Sequence, residues 1–295
     1  MWFWLAVVSG IIGTFKELLN RAILREKGDS LAFAFLYQVV PVVCALPLFV
    51  FGLKFPPGIF PYLLLGAIGV VDTLSVFLIM ESFKYLEVSL KATIYQLRLF
   101  WVLMLSIVIL GETLNPDKII GVCLIFGGIS LAVFKQKKVS WLKKTVMRIL
   151  GRKDQRAKGI LVTLIASFLT AFEMIGVKYL LNQFSLSFVV FAVLSVSALV
   201  FLLLAPDLKN RVSSLIKGPQ RKAVWLTCLL GTIALFLSLR SISMTELSRV
   251  NPVLESFKIL TILGGIVFLK EKEKVWQKIL GGILTVIGVI LVKGS

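Results

Sequence analysis

The sequence contains no histidine, and its 295 residues include only three cysteines. Cys44, Cys123 and Cys228 each stand inside an apolar run, and no two of them form a Cys-x-x-Cys pair. These absences argue against a disulfide framework and against a zinc or haem site. The lack of histidine also removes the usual general base and the usual activator of a serine or cysteine nucleophile.

Catalytic motifs are missing as well. The sequence has no Gly-x-Ser-x-Gly elbow, no Walker A loop and no kinase-like pattern. It therefore predicts a protein that is not an enzyme, with no catalytic residues, no cofactor and no bound metal.

Acidic residues are scarce: 15 Asp and Glu stand against 33 Lys and Arg, which gives a net charge of +18. Hydrophobic residues make up 58% of the chain, and the mean hydropathy is +0.95. A soluble domain of this length has too little interior to bury so many apolar side chains. The basic residues flank the apolar runs, so we expect membrane lipids to be their partner, and not nucleic acid.

Ten apolar runs are long enough to cross a hydrocarbon core of ~30 Å. They predict an all-α integral membrane protein with transmembrane helices at 2–22, 30–53, 59–82, 88–110, 116–135, 159–181, 185–205, 222–243, 247–270 and 275–293. Glycine-rich clusters in these runs favour close helix packing.

The pattern of the first half recurs in the second half. Gly111-Glu112 is followed by Ile120-Gly121, and Lys270-Glu271 is followed by Leu280-Gly281. The chain is predicted to consist of a first five-helix repeat at 1–135, a basic linker at 136–158 and a second five-helix repeat at 159–295. Since five is an odd number, the repeats are inverted with respect to each other, around a central cavity.

The linker carries a dense positive charge. Residues 135–158 contain ten Lys or Arg and one acid, Asp154. The apolar residues from Trp141 to Leu150 recur on one helical face, which predicts an amphipathic helix on a lipid surface. A solvated basic linker is the alternative.

Orientation follows from the positive-inside rule. The odd-numbered connections hold 24 of the 33 Lys and Arg residues. This bias predicts that both termini lie outside the membrane-enclosed compartment.

Ionisable side chains inside a membrane are expensive and mark functional sites. Arg98 and Lys258 lie near the middle of equivalent spans and are predicted to bind an anionic group of the substrate. Asp72 is a candidate for proton coupling or a partner of Arg98. The complete predicted substrate-binding set is Arg98, Lys258, Tyr95, Gln96, Glu255, Lys16 and Glu173.

Two alternatives remain for these residues. In the first alternative, the charges do not bind substrate and pair only with each other, for instance Lys16 with Glu173 and Lys258 with Glu255. The dipeptide Asn251-Pro252 either unwinds the ninth span near the cavity or is a first-turn proline.

The segment Leu110-Gly111-Glu112-Thr113-Leu114 and its second copy around Lys270-Glu271 resemble the drug/metabolite transporter superfamily, in its ten-helix branch with two EamA-type halves. A narrower similarity links Tyr95-Gln96-Leu97-Arg98 and Phe257-Lys258-Ile259-Leu260-Thr261 to nucleotide-sugar transporters. The resemblance implies that Arg98 and Lys258 face a substrate phosphate. It also implies that both termini are cytoplasmic, which conflicts with the charge bias.

Together these patterns predict a secondary transporter in a prokaryotic cell (inner) membrane. It would move a small anionic metabolite, such as a nucleotide-sugar, a phosphorylated or carboxylated compound or an amino acid, by alternating access. Substrate exchange or a carboxylate such as Asp72 or Glu255 would couple the movement. A flippase for a phosphorylated or sugar-linked lipid, a membrane enzyme and a scaffold are the alternatives. Spans five and ten are predicted to buttress the protein and to offer a homodimer surface.

Overall fold

The computed structural model describes residues 1–24, 28–110, 116, 120–121, 123–124, 127–128, 131, 155–205, 207–245, 247–269 and 275–294. Most of the predicted fifth span, most of the basic linker and the two Gly-Glu or Lys-Glu motifs lie outside these residues. The described residues form α-helices and a short 3-10 helix, with no strand among them. This confirms the prediction of an all-α protein.

The first half contributes five helices to the described part of the chain. They are α1 (Trp2–Leu24), α2 (Ser30–Ala45) with a 3-10 extension (Leu46–Phe51), α3 (Phe60–Tyr85), α4 (Val88–Tyr95) and α5 (Leu97–Leu110). In a hydrocarbon core the backbone must satisfy its own hydrogen bonds, and a helix does so within each segment. Asp29 caps α2, because its carboxylate accepts from the amides of Leu31 and Ala32 at 3.1 Å.

The second half contributes seven helices to the described residues. They are α6 (Gln155–Gln183), α7 (Leu186–Leu204), α8 (Leu208–Lys217), α9 (Arg221–Met244), α10 (Leu247–Ser256), α11 (Lys258–Phe268) and α12 (Val275–Gly294). Helix α6 begins before the predicted repeat boundary at residue 159, so the last residues of the predicted linker belong to it.

Six of the described segments are long and apolar enough to cross a membrane: α1, Ser30–Val50, α3, α6, α7 and α9. The predicted spans 88–110 and 247–270 are each divided into two shorter helices instead. The number of ten spans and the inverted repeat stay predictions.

The two divided spans are interrupted in the same manner. Helix α4 gives way to α5 at Gln96, and α10 gives way to α11 at Phe257. An i→i+3 hydrogen bond closes each turn, from Leu99 N to Gln96 O and from Leu260 N to Phe257 O, both at 3.0 Å. Short 3-10 turns inside a helix often mark functional hinges. Asn251-Pro252 does not unwind the chain, because both residues lie within α10.

Helix α8 is not among the predicted spans, because its residues fall in the connection between the predicted spans 185–205 and 222–243. Leu208 is fully buried, and Val212, Leu215 and Ile216 pack against the same cluster of α2, α3 and α9 side chains. The opposite face is polar, with Asn210, Ser213, Ser214 and Lys217. The apolar stripe therefore anchors an amphipathic helix at the end of the bundle.

Helices of the first half pack mainly against helices of the second half. The most extensive contacts join α3 to α6, α1 to α9 and α2 to α7, and α4 packs against α11. The interface between the halves encloses a polar interior, which holds the candidate site.

Candidate functional site

A cavity of about 250 Å³ lies between the two halves. Its wall is built by α1 to α7 together with α9 and α10. None of the wall residues in the described part of the chain comes from α12. Six charged side chains reach the wall: Lys16, Glu17, Asp72, Lys91, Arg98 and Glu173.

Helix α1 supplies a carboxylate surrounded by amines. Lys258 donates to Glu17 Oε1, and Lys91 Nζ lies 3.9 Å from the same oxygen. The second oxygen, Oε2, is buried without a hydrogen-bond partner in the described structure. Glu17 is 6% exposed, so these amines neutralise a charge that water does not reach.

Lys16 differs from the neighbouring cations. Its ammonium donates to the hydroxyl of Tyr37 at 3.0 Å and lies 5.4 Å from the centre of that ring. It forms no ion pair with a carboxylate of the described residues. An amine held by a neutral hydroxyl on a cavity wall keeps donor capacity for an anion.

Arg98 reaches across the interface between the halves. Its guanidinium donates to Oε1 of Glu255 in α10 and stacks 5.1 Å from the ring centre of Tyr95. The Tyr95 hydroxyl donates to Thr170 Oγ1 at 2.9 Å. Arg98 Nε and Glu255 Oε2 have no partner among the described residues, so the pair retains unused hydrogen-bonding capacity.

Two carboxyl groups meet on the opposite part of the wall. Asp72 of α3 and Glu173 of α6 lie within hydrogen-bonding reach of each other. Gln38 donates to Asp72 and also to Ser197 Oγ, the latter at 2.8 Å. Two carboxyl groups this close in a low-dielectric interior are not both charged, because like charges repel and two carboxylates offer only acceptors.

Half of the eight predicted site residues lie on the cavity wall, and the other half do not. Lys16, Asp72, Arg98 and Glu173 line the cavity. Tyr95, Glu255 and Lys258 stand behind the wall and contact its residues. Gln96 is fully buried at the α4–α5 break, and neither its Oε1 nor its Nε2 has a partner in the described structure.

The suggested charge pairings were wrong. Lys258 pairs with Glu17 and not with Glu255, and Glu173 faces Asp72 and not Lys16. Asp72 is not the partner of Arg98, because Gln38 donates to Asp72 while Arg98 pairs with Glu255. The actual partners come from helices far apart in the chain, and local spacing does not predict them.

Lys91 is a wall residue that the sequence analysis missed. It lies near the start of the predicted span 88–110, and in the structure it is 1% exposed and belongs to α4. Its amine stands 4.1 Å from the ring centre of Phe83 and 4.9 Å from that of Tyr95. The sequence feature that points to Lys91 is its position two helical turns before Arg98, because this spacing places both cations on one helical face.

Six apolar segments that are long enough to cross a membrane and that surround a polar cavity define an integral membrane protein. The chain belongs to the EamA-like transporter family, whose profile matches residues 1–134 and 157–294. This places it in the drug/metabolite transporter superfamily, as the sequence motifs indicated. Members of this family are transporters and not enzymes.

Solved structures match the fold, with 22 chains in all. One of them, described only as "Crystal structure of protein", has a TM-score of 0.51 and 14% sequence identity. The match covers 97% of this chain and 95% of that chain, so it supports the architecture over the full length. No curated protein matches the chain. The local similarity to nucleotide-sugar transporters stays a prediction.

Proposed function

We propose that this protein is a secondary transporter that carries a small metabolite with a carboxylate or phosphate group across the membrane. The observation that carries the proposal is Lys16, a cavity-facing ammonium with no carboxylate partner among the described residues. In a membrane interior, such a cation is costly unless an anion compensates it. The transported anion would be that compensating group.

The charges around the cavity support an anionic cargo. Four cations meet four acids, and one shared proton leaves three charged carboxylates and a net charge of +1. The cations are Lys16, Lys91, Arg98 and Lys258, and the acids are Glu17, Asp72, Glu173 and Glu255. Binding of one anion neutralises the site, which lowers the cost of moving it through the low-dielectric interior.

The cavity volume favours a compact cargo. About 250 Å³ exceeds the ~150 Å³ that holds one benzene, but it is below the ~300–1,000 Å³ of pockets for drug-sized ligands. Small carboxylates, amino acids and phosphate esters fit this range. A nucleotide-sugar or a lipid phosphate would need a larger opening, so we consider both to be weaker candidates for the cargo than the small anions.

Alternating access is the mechanism that we propose. In a repeat of five spans, α1 corresponds to α6 and α3 corresponds to α9. The contact of α1 with α9 is then equivalent to the contact of α6 with α3, which supports a pseudo-two-fold arrangement. The breaks at Gln96 and Phe257 stand beside Arg98 and Lys258, so bending at these turns would move the cations with respect to Glu17 and Glu255.

Coupling is proposed to involve the carboxyl pair. Asp72 faces Gln38 of α2, Glu173 of α6 and Ser197 of α7, while Glu173 also feels the charge of Arg98. A proton that leaves this pair would add one negative charge to the cavity and favour release of an anion.

Uptake into proteoliposomes tests the proposal. The purified protein is reconstituted and offered labelled carboxylates, amino acids, phosphate esters, nucleotide-sugars and lipid phosphates. We expect saturable uptake of a small anion by the wild type, loss of that uptake in Lys16→Ala, and no change in Lys217→Ala, an exposed lysine of α8. Uptake that survives Lys16→Ala would refute the assignment, and translocation of a lipid phosphate alone would favour a flippase.

A further inference from the structure

Asn251 of α10 faces the cavity with an unused amide. It is 2% exposed, and neither Oδ1 nor Nδ2 has a hydrogen-bond partner among the described residues. Asn20 of α1 repeats the feature in part, since it is 2% exposed, lines the same cavity and has an unpartnered Oδ1.

Other uncharged polar residues on the described wall have partners for their side chains. Gln38 donates to Asp72 and Ser197, Ser238 donates to the carbonyl of Leu235 at 2.8 Å, and Thr170 donates to the carbonyl of Ala166 at 2.8 Å. Buried polar side chains are nearly always satisfied in folded proteins. A buried amide that is left over on a cavity wall is therefore satisfied by whatever occupies the cavity.

The chemistry of the amide selects the kind of group that fits. Asn251 offers two donor hydrogens on Nδ2 and an acceptor on Oδ1. A carboxylate or phosphate oxygen satisfies only the donors. A hydroxyl or a primary amide both accepts and donates, so it satisfies both ends.

The register of α10 places this group beside the cations. Asn251 stands one helical turn before Glu255, which is paired with Arg98. An anion held by Lys16, Lys91 and Arg98 would then extend an adjacent uncharged group toward Asn251.

We propose that Asn251 determines specificity by binding an uncharged hydroxyl or amide of the transported anion. The inference rests on the proposed function and narrows it to a metabolite that carries both an anionic group and a hydroxyl or amide. Asn20 would form a secondary contact of the same kind.

Matched pairs of compounds that differ in one hydroxyl test the proposal. The pairs are lactate with propionate, threonine with valine, and 2-hydroxypropyl phosphate with propyl phosphate. Binding is measured by the thermal stabilisation of purified protein across a concentration series. In the pair that binds, we expect the wild type to prefer the hydroxylated member by roughly tenfold or more, and Asn251→Leu to reduce that preference to about threefold or less.

Gln277→Leu is the control. Gln277 of α12 also has a buried side-chain oxygen, Oε1, without a partner among the described residues, but it is not on the cavity wall. The control is expected to keep the preference, whatever it does to the melting temperature. Asn251→Ala replaces Asn251→Leu if the larger side chain prevents folding.

The outcomes separate the two proposals. An unchanged preference in Asn251→Leu overturns this inference and assigns a bound water to the amide. Equal loss for both members of a pair in Asn251→Leu also overturns it, because it indicates a structural role. If no anion stabilises the wild type, or if Lys16→Ala binds the anion as well as the wild type does, the proposed function itself fails.

Discussion

Arg98 and Glu255, separated by 157 positions in the chain, form a buried ion pair that joins α5 to α10. The carboxylate of Glu255 is 2% exposed, so it depends on Arg98 for its neutralisation. Removal of Arg98 alone leaves an unpaired charge in the interior. We expect Arg98→Gln to lower the free energy of unfolding by roughly 3–5 kcal/mol, and the double variant Arg98→Gln/Glu255→Gln to restore most of it.

The double variant also separates structure from binding. If Arg98 contacts the cargo, the restored protein still loses uptake, which denaturant titration and proteoliposome assays on the same sample would reveal. A double variant with wild-type stability and wild-type uptake would show that the pair is only structural.

The sequence predicts the fold class and four of the six charged residues on the described cavity wall. Apolar run lengths indicate the long helices, and the cost of a charge inside a membrane points to Lys16, Asp72, Arg98 and Glu173. The ion pair of Glu17 with Lys258 cannot be predicted from run lengths or from the cost of charges, because it depends on how helices from different halves pack. Lys91 was missed for another reason, since its position near a span end made it indistinguishable from a lysine at the lipid surface.

Lys91 is expected to bind cargo and to contribute little to stability. Methionine has a similar length and no charge, and Glu17 keeps its ion pair with Lys258 when Lys91 is replaced, so no buried carboxylate is left without a cation. We expect Lys91→Met to fold normally and to bind the anion roughly 10- to 100-fold more weakly, the equivalent of about 1.5–3 kcal/mol for a hydrogen bond to a charged group.

The control for this variant is Lys158→Met. Lys158 donates to the Tyr85 hydroxyl at 2.8 Å and stacks 4.6 Å from that ring centre, but it is absent from the cavity wall. Equal losses of affinity in the two variants would contradict a role for Lys91 at the site.

Glu17 is expected to compete with the cargo for Lys91 and Lys258. Its carboxylate occupies these amines in the empty protein, so an arriving anion must replace it. In Glu17→Gln the amines lose their internal anion. We predict a lower KM for uptake together with a lower kcat, because the anion binds more tightly and leaves more slowly. A higher KM in Glu17→Gln would instead assign the glutamate to the binding of a cationic group of the cargo.

Asp29 and Arg211 fasten α8 to the start of α2 outside the membrane-spanning segments. Arg211 Nε and a terminal nitrogen each donate to the Asp29 carboxylate at 2.6 Å. Burial would raise the pKa of Asp29, but the hydrogen bonds from Arg211 and from the Ala32 amide outweigh it and hold the pKa below its ordinary value. A carboxylate with a lowered folded pKa stabilises the protein above its unfolded pKa of ~3.9 and stops doing so as the pH falls through the folded value.

Asp29→Asn keeps the helix cap and removes the charge, whereas Asp29→Ala removes both. At pH 7 we expect Asp29→Asn to be less stable than the wild type by up to about 1 kcal/mol, since Arg211 is partly exposed, and Asp29→Ala by about 1 kcal/mol more. The difference between the wild type and Asp29→Asn should vanish once the pH is below the folded pKa. A difference that persists there in thermal melts would mean that the ion pair is not its source.

Asp72 is expected to link transport to the proton gradient. Its carboxyl lies within hydrogen-bonding reach of Glu173, and asparagine keeps the shape of the side chain but cannot release a proton. We predict that a pH gradient across the proteoliposome membrane drives accumulation of the anion by the wild type and not by Asp72→Asn, while exchange of internal for external anion persists in both. Glu81→Gln is the control on the same helix, because Glu81 contacts Ser30, Lys84 and Tyr85 away from the cavity. Gradient-driven accumulation by Asp72→Asn would exclude this carboxyl from coupling, and loss of exchange as well would make it part of the binding site.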